Sequence, residues 1–162
     1  MSVNFRVFAR SPELRPKRAH PDDSGLDLCF DYYGTSIDPT NDLRFRDNHI
    51  ILLEQAKIRL PTGVYAAVNS GYELQIRPRS GLAGRGLILM NSPGTVDASY
   101  RGEIMLSFWW TGDLPLMIHH GDRIAQMVIA KVELDVPEFM DSIEALGSTV
   151  RGANGFGSSG NA

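Results

Sequence analysis

The chain of 162 residues carries a formal net charge of −3, with 43% hydrophobic and 22% charged residues. This length suits one domain with a substantial core, and the mildly negative charge argues against a general nucleic-acid binder, which needs a basic surface. No stretch approaches the apolar length of a membrane span, and the first residues lack the apolar core of a secretory signal. The sequence therefore predicts a cytoplasmic domain that binds neither nucleic acid nor membrane.

Short stretches in which apolar and polar residues alternate recur along the chain and predict strands. They cover residues 3–7, 26–31, 57–60, 64–68, 73–77 and 104–108, and the mostly apolar run 124–129 is predicted to be buried. Sixteen glycines and nine prolines supply the turns between them. Strands with turns at intervals of about eight to twelve residues are typical of sandwiches and barrels. We expect an all-β, jelly-roll-like (β-clip) barrel or sandwich.

Three segments fall outside this strand pattern. The polar stretch Gly34–Asn48 is expected to form a long surface loop. A short helix fits Arg79–Ala83, where its first turn can present N–H groups to an anion. A second helix is possible at Pro137–Leu146, since three apolar residues recur there at helical spacing: Phe139, Ile143 and Leu146. Glycine-rich dinucleotide and Walker motifs are absent, so the common α/β nucleotide folds are not indicated.

The only cysteine, Cys29, lies in the second predicted strand and cannot form a disulfide within the chain. A thiol in such a position is more often a buried, unreactive group than a reactive one. The absence of a disulfide framework fits a reducing compartment.

The last residues, 151–162, form a glycine-rich segment that cannot build a core. Successive glycines leave backbone N–H groups free for phosphate oxygens. Arg151 offers a guanidinium to a phosphate, and Phe156 offers a flat face to a base. A frayed terminus is the alternative interpretation. We divide the chain into a β domain, 1–150, and a flexible arm, 151–162, that closes over an active site.

Five segments combine glycine with charged or amide side chains: His20–Leu28, Pro78–Ala83, Asn91–Glu103, Gly121–Gln126 and the arm. In this order they closely resemble the five motifs of the trimeric deoxyuridine triphosphatase (dUTPase) family. Pro-Arg-Ser-Gly-Leu-Ala and Gly-Asp-Arg-Ile-Ala-Gln are the most specific of them. The resemblance implies a jelly-roll-like protomer, a homotrimer with shared active sites, and Mg²⁺-dependent hydrolysis of dUTP to dUMP and pyrophosphate. Such an enzyme limits uracil in DNA and supplies dUMP for thymidylate synthesis.

The third motif resembles the family's catalytic and base-reading hairpin. Asp97 matches the general base that activates the attacking water, which suits phosphoryl chemistry. Tyr100 matches the ring that packs under the deoxyribose and leaves no room for a 2′-hydroxyl. The uracil edge would be read by Asn91 and the backbone that follows it, namely Gly94, Thr95 and Val96.

The other motifs resemble the binding sites for the triphosphate. Residues matching the phosphate ligands are Arg79, Ser80, Gly81 and Gln126. Asp27 matches a residue that supports the hydrated magnesium through water, in keeping with the water shell that this ion retains. In the arm, Arg151 matches the ligand of the γ-phosphate and Phe156 the ring that stacks on uracil; the remaining γ-phosphate contacts would come from Gly157, Ser158 and Ser159.

Two further charged pairs within the motifs have a structural interpretation. We expect Asp122 and Arg123 to pair and hold their turn, and Arg101 and Glu103 to be structural residues that could pair at a subunit contact.

Two other functions are alternatives to dUTP hydrolysis. A deoxycytidine triphosphate deaminase shares the fold but needs a catalytic glutamate near the base and a different third motif. A regulatory protein on the same scaffold could have lost turnover. The sequence Asp97-Ala-Ser-Tyr100-Arg-Gly favours the hydrolase over the first, and the intact set of site residues argues against the second.

Overall fold

The computed structural model describes residues 3–34 and 43–154, and for residues 43–45 the backbone alone. The strands are β1 (Arg6–Ala9), β2 (Leu26–Cys29), β3 (Leu43–Arg46), β4 (His49–Leu52), β5 (Lys57–Pro61), β6 (Val64–Ala67), β7 (Tyr72–Pro78), β8 (Leu87–Leu89), β9 (Gly94–Val96), β10 (Met105–Trp110), β11 (Leu116–His119) and β12 (Arg123–Lys131). In these ranges the single α-helix is α1 (Ser80–Ala83). Two short 3-10 turns lie near the ends of the described chain, at Pro12–Leu14 and Glu144–Leu146. No helix in the described ranges is long and apolar enough to cross a bilayer.

The strands form four small antiparallel sheets, so the protein has the expected all-β, jelly-roll-like fold. Their strand orders are β1–β6, β5–β10–β8, β11–β4–β3 and β2–β12–β7–β9. One hydrophobic core takes residues from all four sheets. The four-stranded sheet is built around β7 and β12, which pair over their whole common length from Ala125 opposite Pro78 to Lys131 opposite Tyr72.

In strand β10, side chains that are buried alternate along the sequence with side chains that are not. Leu106, Phe108 and Trp110 point into the core and are almost fully buried, whereas the residues between them face outward. The indole N–H of Trp110 donates to the Leu114 carbonyl at 2.9 Å, which satisfies its one polar group. Trp109 lies on the outer face, where the Lys57 ammonium is 5.5 Å from its ring centroid.

The predicted start of the first strand was wrong, and the predicted loop at 34–48 was wrong in part. The first strand begins at Arg6 rather than Val3, and Val7 and Phe8 are 40% and 63% exposed. Strand β1 pairs only with β6, so within the described part of the chain no second layer covers these side chains. The polar stretch 34–48 contains strand β3, which pairs with β4 in a hairpin; residues 35–42 lie outside the described residues.

The segment after β12 has no regular secondary structure before residue 144 and does not form the expected helix at 137–146. Only the 3-10 turn at its end is helical. The apolar residues of this segment are strongly exposed: Leu134, Val136, Phe139, Ile143 and Leu146. A helix this short is marginal without an apolar partner surface, and none is supplied by the described part of the same chain.

The structure places Cys29 in the core, 8% exposed, and burial raises the pKa of its thiol. Because the thiolate is the reactive species, native protein should react with a thiol-specific disulfide reagent at pH 8 at least about tenfold more slowly than urea-unfolded protein. Equal rates for the two forms would contradict the packing of β2.

Candidate active site

The predicted site residues of the β domain line two separate cavities. The first, which we name the hairpin cavity, is lined by Asn91, Gly94–Asp97 and Tyr100, with Ile76 and residues 103–106 completing its wall. The second, the arginine cavity, is lined by Ala19, Asp23–Gly25, Asp27, Arg79–Gly81 and Gln126. The two cavities have no lining residue in common.

The floor of the hairpin cavity is strand β9. It pairs with β7, with Gly94 opposite Ile76 and Val96 opposite Leu74. On its other side β9 has no partner among the described strands, so backbone N–H and C=O groups along this edge can bind a planar polar ligand. A Cβ on Gly94 would lie 3.1 Å from Asn91 Nδ2. Glycine therefore allows the amide side chain to pack closely against the strand.

The turn that follows β9 holds Asp97 and Tyr100 at the rim of this cavity. The Tyr100 amide donates to the Asp97 carbonyl at 3.0 Å, and the Tyr100 hydroxyl donates to the Glu103 carbonyl at 2.9 Å. A Cβ on Gly102 would overlap the phenol oxygen of Tyr100. The ring therefore lies directly against the backbone of the turn, and both side chains remain accessible to a ligand.

Within this chain Arg101 and Glu103 do not pair with each other, and their pairing at a subunit contact stays a prediction. Arg101 Nη1 instead donates to the carbonyls of Ala98 and Tyr100 at 2.7 and 2.6 Å. Glu103 Oε1 accepts from the Gly63 amide at 2.7 Å, and Oε2 accepts from Arg10 Nη2 at 3.0 Å. The guanidinium of Arg101 is used within its own turn, which leaves the glutamate to bind the neighbouring loops.

In the arginine cavity, Asp27 joins two arginines. Its Oδ1 accepts from Arg79 Nε at 2.9 Å and its Oδ2 from Arg123 Nη1 at 3.1 Å. Arg79 Nη1 also donates to the Arg123 carbonyl at 3.2 Å. The expected pair of Asp122 and Arg123 was therefore wrong. Strand pairing sets Arg123 opposite Cys29, two residues from Asp27, while Asp122 accepts the His119 amide at 2.8 Å.

Gln126 and the start of α1 complete the arginine cavity. Gln126 Nε2 donates to the Pro78 carbonyl at 2.9 Å, and a Cβ on Gly25 would overlap Gln126 Oε1. The predicted short helix is present, but it begins at Ser80, and Arg79 occupies its N-cap in extended conformation. The amides of Ser80 and Gly81 begin the helix and so have no intrahelical acceptor.

Strand β7 separates the two groups of residues. Asp97 follows Val96, which pairs with Leu74, and so lies level with Glu73 near one end of β7. Arg79 follows the last residue at the other end. From Glu73 to Arg79 the extended chain covers about 20 Å, at the usual rise per residue. A single protomer therefore does not bring Asp97 and Arg79 to the same point.

The arm residues are only partly covered by the structure. Arg151 is exposed, lines neither cavity, and donates from Nε to the Asn154 carbonyl at 2.9 Å. The other predicted arm residues lie outside the described residues: Phe156, Gly157, Ser158 and Ser159. Over residues 3–34 and 43–154, no cluster of three His, Cys, Asp or Glu side chains could hold a metal ion.

Sequence reasoning missed the residues behind the Tyr100 turn. Arg10 and Gly63 are 93 and 40 residues from Glu103, which they bind. The sequence offered no signal for either contact, since Arg101 stood closer to the same carboxylate.

Comparison with known proteins agrees with this architecture. The family model for dUTPase matches residues 14–160. The deoxyuridine 5′-triphosphate nucleotidohydrolase of Dinoroseobacter shibae is 46% identical over 116 residues, covering 71% of this chain and 73% of that protein. The enzyme of the same name from Roseobacter denitrificans is 49% identical over 115 residues, covering 70% and 74%.

Solved structures give the same fold at lower identity. The G164S mutant of the dUTPase of Staphylococcus bacteriophage 80alpha, with dUpNHpp, has a TM-score of 0.75 at 22% identity, covering 97% of this chain and 98% of that one. The dUTPase of Streptococcus mutans has a TM-score of 0.65 at 23% identity, covering 82% and 98%. The extent of the family match and the identity to these relatives show that the chain belongs to the dUTPase family.

Proposed function

We propose that this protein hydrolyses dUTP to dUMP and pyrophosphate at active sites shared between the copies of a homotrimer. The observation that carries the proposal is the division of the site: a cavity with groups for a base, a sugar and an attacking water lies apart from a cavity with groups for phosphates. Both cavities are open to solvent, and neither is complete alone.

The hairpin cavity suits a deoxyuridine. The free edge of β9 offers backbone donors and acceptors to the uracil edge, with the Asn91 amide beside it. Polar recognition of this kind discriminates between bases better than apolar contact does. The Tyr100 ring is fixed against Gly102; it would pack under the sugar and leave no space for a 2′-hydroxyl.

Asp97 is the proposed general base. Its carboxylate is exposed at the rim of the hairpin cavity and can bind a water by hydrogen bond. That water attacks the α-phosphorus, the bond from the α-phosphorus to the bridging oxygen breaks, and pyrophosphate leaves. The proton of the water passes to the carboxylate.

The arginine cavity suits the triphosphate. Arg79, the Ser80 hydroxyl, the Gly81 amide and the Gln126 amide can neutralise and orient the phosphate oxygens. Asp27 fixes the Arg79 guanidinium before the substrate arrives, so little side-chain freedom is lost on binding. The arm would then contribute Arg151 to the γ-phosphate and Phe156 to the uracil face, and exclude water as it closes.

The donors of the arginine cavity fit a magnesium ion that is held through the phosphates. Asp27 has both oxygens engaged by arginines, so it can support such an ion only through bound water. The Gln126 carboxamide offers a neutral oxygen to the same waters. When bound, magnesium would neutralise charge on the phosphate oxygens as the leaving group forms.

Distance is the main support for association. Asp97 must lie within one water of the α-phosphate that the arginine cavity binds, yet these groups lie about 20 Å apart along β7 of one chain. A contact that joins the hairpin cavity of one copy to the arginine cavity of the next uses two different surfaces. Such a contact is heterologous, and it forms a ring when the rotation between copies closes; the family resemblance implies a ring of three members.

The exposed C-terminal segment also supports association. Between Glu133 and Leu146 it carries five acidic residues and no basic ones, together with apolar side chains such as Phe139 and Ile143, which are 87% and 81% exposed. Apolar groups spaced along one extended segment need a surface to cover them. A neighbouring copy supplies that surface. With the segment packed on that copy, the arm that follows it extends to another copy's site.

A deoxycytidine deaminase is disfavoured by the environment of the one glutamate in the hairpin cavity. Glu103 lines that cavity, but its carboxylate oxygens are bound by Gly63 and Arg10. It is therefore not available as a proton carrier. Separate incubation with dUTP and dCTP distinguishes the two enzymes, because the first releases pyrophosphate and the second ammonia.

Replacing Asp97 with Asn should lower kcat for dUTP by about a thousandfold, since the water loses its base. The affinity for a non-hydrolysable dUTP analogue should change little, because the amide keeps the size of the side chain. Pyrophosphate release and calorimetric titration measure the two effects. Asp113→Asn, in the exposed turn after β10, is the control. Wild-type turnover by Asp97→Asn would remove this residue from the mechanism.

Ending the chain after Val150 should reduce hydrolysis by at least about a hundredfold, because the arm can no longer exclude water or hold the γ-phosphate. In light scattering the truncated protein should contain the same number of chains as the full-length oligomer, since the segment before the arm is intact. Normal hydrolysis by the truncated protein would show that the arm is not part of the site.

A further inference from the structure

The Tyr100 turn is attached to the rest of the protein by a chain of charged residues that the proposed chemistry does not use. Arg10 stands at its centre, in the loop after β1, with its amide donating to the Gly63 carbonyl at 2.8 Å. Its guanidinium donates to two carboxylates, that of Asp31 through Nη1 and that of Glu103 through Nη2. Arg10 thus links the end of the first motif region to the third motif.

Asp31 fixes the position of this guanidinium. It is 1% exposed, so its carboxylate depends on partners for the solvation it has lost. Besides Arg10, it accepts the Tyr33 amide at 3.1 Å and lies 3.7 Å from Nδ1 of His120. A buried acceptor with few alternatives holds Arg10 in one orientation.

Glu103 transmits this fixed position to the hairpin cavity. One carboxylate oxygen binds Arg10 and the other binds the Gly63 amide, while its own carbonyl accepts the Tyr100 hydroxyl. The next residue is also held, because the Ile104 amide donates to the Val64 carbonyl at 2.8 Å. The turn from Asp97 to Gly102 has no comparable anchor of its own among the described residues.

We propose that Arg10 is a positioning residue for sugar selection, acting through Glu103 to hold the Tyr100 ring against the place of the ribose 2′ carbon. The inference rests on the proposed function and extends it to a residue about ninety positions away in sequence. The Tyr100 ring can exclude the ribose 2′-hydroxyl only if the ring is held rigidly in place. A ring that recedes by about 1 Å still contacts deoxyribose but begins to admit ribose.

Removal of Arg10 should therefore change selectivity more than it changes turnover of dUTP. With Arg10→Met, Glu103 keeps only the Gly63 amide, and the turn that carries Tyr100 becomes looser. The ratio of kcat/KM for dUTP to that for UTP should fall by about tenfold. Arg10→Lys keeps the charge but not the fork that spans two carboxylates, so its ratio should lie between those of wild type and Arg10→Met.

The experiment measures this ratio in the full-length enzyme for wild type, Arg10→Met, Arg10→Lys, Glu103→Gln and the double variant Arg10→Met/Glu103→Gln. If Arg10 acts through Glu103, the double variant should lose no more selectivity than the larger single loss. Arg46→Met, an exposed arginine at the end of β3, is the control and should leave the ratio unchanged.

Arg10→Met leaves the buried Asp31 carboxylate without its cation, so this variant can fail to fold. The variant Arg10→Met/Asp31→Asn removes both charges and should show the same loss of selectivity in a folded protein. Hydrogen exchange of the amides from Asp97 to Gly102 should be faster in this variant than in wild type, which tests the loosening without any substrate.

The outcomes separate the inference from the proposed function. A lower melting temperature with an unchanged dUTP/UTP ratio would make Arg10 a purely structural residue. Additive losses in Arg10→Met/Glu103→Gln would show that it does not act through Glu103. A wild-type protein that fails to hydrolyse dUTP would contradict the proposed function instead, while the exchange rates would still report on the link from Arg10 to the turn.

Discussion

The pairing of β7 with β9 on one side and β12 on the other sets the geometry on which the rest of the account depends. A paired strand cannot shorten, so Asp97 beside one end of β7 and Arg79 beyond the other end stay about 20 Å apart. Each cavity is well formed within one chain. In the proposed homotrimer, association would bring these two half-sites together, so catalysis would depend on oligomer formation.

The two half-sites are fixed by the same kind of device, a carboxylate that accepts from more than one partner. In the arginine cavity Asp27 holds Arg79 and Arg123; behind the hairpin cavity Glu103 holds Arg10 and the Gly63 amide. Charged hydrogen bonds of this type restrict side chains before the substrate binds. In the proposed trimer, a neighbouring copy would cover the exposed apolar residues of segment 134–146.

The sequence predicted those elements that are determined by residues close to one another in the chain. Alternation located strands such as β10, and the motif resemblance placed the residues that now line the two cavities. It failed where distant contacts decide: the helical spacing at 137–146 lacked a surface to pack on, and the contact between Glu103 and Arg10, which is 93 residues away, had no local signal. Strand β3 was missed although Leu43 and Phe45 alternate with arginines, because flanking polar residues dominated that stretch. The magnesium ion and the cytoplasmic location stay predictions.

The most direct test of the shared site mixes two inactive variants. Asp97→Asn keeps an intact arginine cavity, and Arg79→Ala keeps an intact hairpin cavity. Equal amounts are unfolded together and refolded, so that the chains assemble at random into closed rings. About a quarter of the sites should then work, namely those that combine the hairpin cavity of an Arg79→Ala chain with the arginine cavity of an Asp97→Asn chain. Wild-type protein taken through the same steps shows how much activity refolding recovers. A mixture no more active than its two parents would contradict the account, because it would mean that both residues must come from one chain.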